Sequence, residues 1–249
     1  MALNYLCYTL FCIAIFSQKL DCQSIERRDD CDFHVTIIRQ LENDGFHREI
    51  HSLVELLGGY SIAQRQHCFL ALRETLPSGL YVSPDQLEDL ARLGQVQACA
   101  NTSVDVEAPE PVSSNLSVLI YSGLERAENL LSAKLVLPVH ARYHAPSEDG
   151  GYRPITVGTP ELFLRCAGHL QCPELTSLTL PCYTCSEELC TWTQIPYKTN
   201  AETLNMLVPV GNMQHYYLVT FLTFTITTGG AVYILLVMVN SAANIYDSG

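Results

Sequence analysis

The stretch KLVLPVHARYH, Lys134 to His144, decides the fold. Its apolar residues Leu135, Leu137, Val139, Ala141 and Tyr143 recur at every second position, the period of a half-buried strand. The alternate positions end in His140, Arg142 and His144, which an extended backbone places in a row on the opposite surface. Pro138 has no N–H to give to a ladder, so the strand is expected at a sheet edge or with a bulge. In a chain of formal net charge -12, a cationic row on an edge strand reads as a docking surface, with His140, Arg142 and Tyr143 as its contacts. The same row also reads as a solvated face, or as one paired with nearby carboxylates.

Short strand-like runs lie on both sides of this stretch. His34–Gln40, Ile50–Leu57, His67–Leu72, Val104–Glu107, Ser117–Tyr121, Pro154–Val157, Glu161–Cys166 and Leu204–Val210 combine β-branched or alternating apolar residues. Turn signals separate them: Asn43-Asp44-Gly45, Gly58-Gly59, Pro77-Ser78-Gly79 and Ser147 to Gly151. One short helix is expected after Ser83, where Ser83-Pro84-Asp85-Gln86 supplies an N-cap, a proline at the first helical position and the glutamine of a capping box; Gly94 ends it. Periodicity is lost between His169 and Trp192, a cysteine-dense segment held by disulfides more than by a core. Many short strands, one helix and no βα alternation give a mainly β chain, a disulfide-bonded antiparallel β-sandwich.

Both ends of the chain carry apolar segments. Leu6–Phe16 has the length of a secretory h-region, so residues 1–17 read as a signal peptide. Tyr216–Val239 contains no charged residue and exceeds the roughly 20 residues that span a bilayer, which makes 216–239 a transmembrane helix. The polar tail 240–249 argues against a removable lipid-anchor signal, because such signals end in their apolar part. A signal peptide at the front makes residues 18–215 luminal and the tail cytosolic, with the chain a single-pass type I membrane protein. The acidic balance excludes a nucleic-acid partner, since no basic stripe could meet phosphates.

Of 11 cysteines, Cys7 and Cys12 fall in the presumed signal. Among the rest, Cys31, Cys68, Cys99, Cys166, Cys172, Cys182, Cys185 and Cys190 are disulfide candidates in an oxidising compartment, with connectivity open. Asn101-Thr-Ser and Asn115-Leu-Ser are glycosylation acceptors. Three patterns bear on catalysis or metal. Asp30-Cys31-Asp32 matches the D-x-D of glycosyltransferases, but a site also needs a pocket and a substrate-lining membrane region that one helix cannot build. Cys182, Cys185 and Cys190, with His169 and Cys172, admit a zinc drawing; thiolates would be required, and a luminal setting favours disulfides. His140-x3-His144 lacks a third ligand. No nucleophile elbow or phosphate loop is present, so no catalytic, cofactor or metal residue is assigned. In the membrane segment Thr223, Thr227 and Gly230 share a face on which another helix could approach closely.

Five stretches taken in order carry a resemblance: Asp44–Glu49 (DGFHRE), Pro77–Leu90 (PSGLYVSPDQLEDL), Asp105–Pro109 (DVEAP) with Ser117–Tyr121 (SVLIY), Leu137–Glu148 (LPVHARYHAPSE) and Cys190–Lys198 (CTWTQIPYK). Preceding one C-terminal membrane helix, they resemble the PIG-X family, accessory subunits of the mannosyltransferase that adds the first mannose in glycosylphosphatidylinositol (GPI) anchor assembly. The resemblance implies a non-catalytic protein of the endoplasmic reticulum membrane that binds and stabilises the multi-pass enzyme PIG-M. PIG-M itself moves mannose from dolichol-phosphate-mannose to glucosaminyl-phosphatidylinositol. The residues alone leave two other classes standing: a single-pass cell-surface receptor or adhesion protein, and a luminal transferase using Asp30 and Asp32.

Overall fold

Alternating stretches of the chain pair into two curled sheets that share one core, in a computed structural model that describes residues 33–58, 68–127, 130–167 and 174–247. The first sheet contains β1 (Phe33–Glu42), β2 (His47–Gly58), β4 (Leu80–Tyr81), β7 (Glu125–Ala127), β8 (Leu130–Ala141) and β13 (Lys198–Thr199). β13 joins β1 in parallel, and the other pairings are antiparallel. The second sheet runs β11 (Ser177–Pro181), β12 (Leu189–Gln194), β10 (Glu161–Cys166), β3 (Cys68–Leu76), β6 (Leu116–Gly123) and β5 (Gln97–Ala100), antiparallel throughout. A separate two-stranded antiparallel sheet pairs β9 (Gly151–Val157) with β14 (Leu204–Val210).

Period two explains the packing. Val35 and Ile37 of β1, Ile50 and Val54 of β2, and Leu135, Leu137 and Val139 of β8 face Leu70, Leu72, Val118, Ile120, Leu162 and Leu164 of the second sheet. This third, two-stranded sheet closes the core with Ile155, Val157, Met206 and Val208. Arg39 continues the inward row of β1 and Glu74 that of β3, so an ion pair lies between the sheets with both side chains fully buried. Arg39 Nη2 donates to both Glu74 oxygens at 2.8 Å and Nη1 to the Gly158 carbonyl at 2.8 Å. Burial pushes the Glu74 carboxyl up in pKa, and the Arg39 guanidinium opposes it.

The second sheet is also packed on its outer side. Ala71, Tyr121, Phe163, Leu180 and Trp192 form a smaller cluster there. The Arg165 guanidinium lies 5.2 Å from the Trp192 ring and 5.4 Å from that of Phe69, and donates to the Cys182 carbonyl at 3.1 Å. Disulfides Cys99–Cys185 and Cys182–Cys190 tie the 182–190 loop to this side, and Cys68–Cys166 staples β3 to β10.

Three expectations need correction. β8 is an interior strand, not an edge: β2 pairs along one side and β7 and β4 take its two ends on the other. Pro138 falls in the gap between those ends, where, among the described residues, no strand pairs with that side of β8. Val104–Glu107 is an irregular loop rather than a strand. The segment expected to lack periodic structure contains β11 and β12. The presumed signal peptide 1–17, Asp30, Asp32, Cys31, His169 and Cys172 lie outside the described residues.

The helix α1 (Pro84–Arg92) has the expected cap, with Ser83 Oγ accepting from the Gln86 amide at 3.3 Å, and buries Leu87. The helix α2 (Tyr216–Asp247) has 32 residues, about 48 Å at ~1.5 Å per residue, so it passes the expected end at Val239. Residues 213–241 are long and apolar enough to cross a membrane.

Candidate functional site

Strand register assembles the end of the sandwich around His140. Pairing across β2, β8 and β4 sets His47 opposite His140 and His140 opposite Tyr81, which gives three rings in a row across the sheet. His47 meets His140 edge-on at 4.4 Å, and Tyr81 stacks on its other side at 5.0 Å. The half-buried His140 donates from Nε2 to Gln86 Oε1 at 2.7 Å. Gln86 therefore serves β8 with its side chain instead of closing a reciprocal capping box. Burial, and secondarily the neighbouring His47, lower the His140 pKa, so the neutral ring is favoured.

Arg142 departs from the expected outward row. β8 ends at Ala141, and the 105–108 loop folds over the side chain that follows, which stays on the Tyr81 and His140 side. Arg142 is only 7% exposed, and its guanidinium stacks 4.7 Å from the Tyr81 ring centre. Nη1 donates to the carbonyls of Asp105 at 2.7 Å and Ala108 at 2.6 Å, which clamps the 105–108 loop. Its backbone N–H bonds the Gly79 carbonyl at 2.8 Å. Burial draws the arginine pKa below its ordinary value, while Tyr81 and Asp105 oppose that shift.

Tyr143 points the other way, contrary to its place among the expected core positions. It is 77% exposed, with its ring against Phe46 at 5.3 Å. Its carbonyl accepts from the Glu110 amide at 2.9 Å, which positions the short 3-10 turn Glu110–Val112. His144 folds back so that Nδ1 meets the Arg142 carbonyl at 3.0 Å. Gly79 fits tightly beneath, since a Cβ there would lie 2.9 Å from Ile155 Cδ1 and 3.1 Å from His144 Cε1.

The three expected docking residues thus have different surroundings: His140 is bonded in place, Arg142 is buried, and Tyr143 is open to solvent. The sequence marked Gly79 only as a turn residue and Gln86 only as a capping residue, and did not single out Tyr81, Asp105 or Ala108, although each lies in one of the stretches that carry the resemblance. Four of those stretches, 44–49, 77–90, 105–109 and 137–148, meet at this one end through Arg142, His140 and the Phe46–Tyr143 contact.

Other candidate chemistry resolves more simply. Cys182 is bonded to Cys190 and Cys185 to Cys99, so these sulfurs are not the thiolates a zinc site needs. Glu42, Glu49 and His51 cluster on the outer face of β1 and β2, where His51 Nε2 lies 2.8 Å from Glu49 and 3.4 Å from Glu42. Asn101 and Asn115 are both exposed.

Comparison with known proteins places the chain. The model of the family described as PIG-X / PBN1 matches residues 43–239. A Rattus norvegicus protein named "GPI alpha-1,4-mannosyltransferase I, stabilizing subunit" is 35% identical over 205 residues, 80% of this chain and 80% of its own length. Proteins of the same name from Mus musculus and Homo sapiens are 35% and 33% identical, each across 77% of this chain and covering 76% and 75% of their own lengths. With the family model spanning every strand after β1 and most of the membrane helix, this chain belongs to the PIG-X / PBN1 family.

Proposed function

We propose that this chain is a non-catalytic subunit of the endoplasmic reticulum mannosyltransferase that adds the first mannose to the GPI precursor, and that it binds and stabilises the catalytic subunit PIG-M. The observation that carries this reading is the set of relatives, each named a stabilizing subunit of GPI alpha-1,4-mannosyltransferase I and each matching about four-fifths of the chain. The β-sandwich is luminal, α2 crosses the membrane once, and Asn101 and Asn115 carry glycans. The physical role is mass action: a partner that binds only the folded form of the enzyme raises the population of that form. Tyr143 is the docking contact, while His140 and Arg142 hold the loop ends that present it.

Deleting the gene tests this directly. Surface GPI-anchored proteins and the level of the catalytic subunit fall together, and both return when the full chain is restored; unchanged levels of both reject the reading. Residence is tested with endoglycosidase H. Sensitive glycans at Asn101 and Asn115 mark retention in the endoplasmic reticulum, whereas resistant ones mark export and favour a cell-surface receptor.

A further inference from the structure

The membrane helix is joined to the β domain without a flexible linker. β14 ends at Val210 and a 3-10 turn, Met213–His215, leads straight into α2. The loop after Tyr143 straps this junction. The Ser147 amide donates to the Gly211 carbonyl at 3.0 Å, and the Met213 amide donates to the Ser147 carbonyl at 2.9 Å. Gln214 Nε2 reaches Asp149 Oδ1 at 3.2 Å, while Ser147 Oγ closes the loop onto the Gly150 carbonyl at 2.8 Å. Gly150, at φ +71°, packs so closely that a Cβ would lie 3.1 Å from that of Asn212.

The strap connects the helix to the Tyr143 end of the sandwich. Tyr143 is four residues from Ser147, within about 14 Å even if fully extended. The Glu110–Tyr143 bond fixes the 3-10 turn beside it, and Val112 there is 76% exposed. Met213, at the junction, is 55% exposed. Residues 105–113, 143–151 and 211–217 contain Asp105, Glu107, Glu110, Glu148 and Asp149 but no Lys or Arg. Exposed apolar side chains therefore stand among carboxylate-rich loops strapped to the start of α2, with Arg142 buried against its own carbonyl partners.

We infer that this rim and α2 form one pre-organised surface that receives a basic luminal loop of a membrane-embedded partner while α2 packs on that partner's own helices. The inference rests on reading the chain as a subunit of a membrane enzyme. Continuity of the rim with α2 requires an occupant anchored in the same bilayer. Anionic headgroups and a second copy of this chain both meet the acidic rim with like charge, which disfavours them. Rigid attachment means that engagement of the helix already orients the rim, so little orientational freedom is lost when the second contact forms.

The test uses the full chain co-expressed with the catalytic subunit, with a photo-crosslinking residue at Val112, at Met213, or at the exposed Leu57 at the far end of β2 from His47. Crosslinks to the catalytic subunit are expected from Val112 and Met213 and not from Leu57. A Gly/Ser linker inserted between Gly211 and Asn212 is expected to lower the Val112 crosslink about tenfold at unchanged chain level. Crosslinks to lipid alone, to a second copy, or to the catalytic subunit from Leu57 only overturn the inference, as does a yield that the linker leaves intact. If the catalytic subunit fails to co-purify with the unaltered chain, the reading of the chain as its subunit fails, and this inference fails with it.

Discussion

Arg142 separates a structural from a docking role for the end of β8, and its replacement gives a sharp test. The side chain makes two charge-assisted hydrogen bonds, to the carbonyls of Asp105 and Ala108, and covers the Tyr81 ring. At about 1.5 kcal/mol for each such bond, Arg142→Ala costs about 3 kcal/mol, with the stacking adding to it. For a domain of this size each kcal/mol lowers the melting temperature by roughly 2–4 °C, so a fall of about 6–12 °C is expected for the full chain in detergent. Limited proteolysis should open the 105–112 loop first. Tyr143→Ala serves as the counterpart: its side chain is exposed, so stability stays within about 0.5 kcal/mol while recovery of the catalytic subunit drops. A melting point for Arg142→Ala within about 2 °C of the original refutes the clamp and returns Arg142 to the surface row.

Glu74→Gln strands the buried Arg39 and is expected to destabilise by about 3–5 kcal/mol, whereas the double change Arg39→Met, Glu74→Leu recovers most of it; chemical denaturation of the three variants checks the cycle. Gly79→Ala forces its methyl into Ile155 and His144 and costs about 1–3 kcal/mol, read as a lowered melting point. His140 is held neutral by burial beside His47, with Gln86, Tyr81 and the Arg142 guanidinium also on its flanks. Since its folded pKa is below the ordinary 6.5, its stabilisation is complete above that pH and is lost as pH falls below it. The melting-point advantage over His140→Gln therefore shrinks between about pH 7.5 and about pH 5, and an advantage that grows on acidification contradicts this.

Legibility in the sequence followed the reach of local rules. Leu135, Leu137, Val139 and Ala141 are buried as their spacing requires, because β8 is regular that far. The rule stops with the strand, and so it does not report that a distant loop covers Arg142 while Tyr143 is left open to solvent. Nothing local marks Arg142 as buried; its carbonyl partners come from a loop more than 30 residues away in sequence. Pro138 did signal an open ladder, but the opening is a gap between β7 and β4 and not a sheet edge. β11 and β12 were missed because their alternation is short and interrupted by prolines and cysteines. Arg39 shares the inward period of Val35 and Ile37, yet only the opposite sheet shows that Glu74 waits for it. The resemblance supplied what periodicity could not, since it linked stretches that the fold brings to one end.

As the stabilising subunit proposed above, this chain contributes surface and not chemistry to a mannosyltransferase. The most direct test is the half-life of the catalytic subunit in a pulse-chase experiment, in cells lacking this chain and again after the full chain is restored. A half-life shortened in its absence and recovered on restoration is the expected result. A catalytic subunit equally long-lived and active without it contradicts the account.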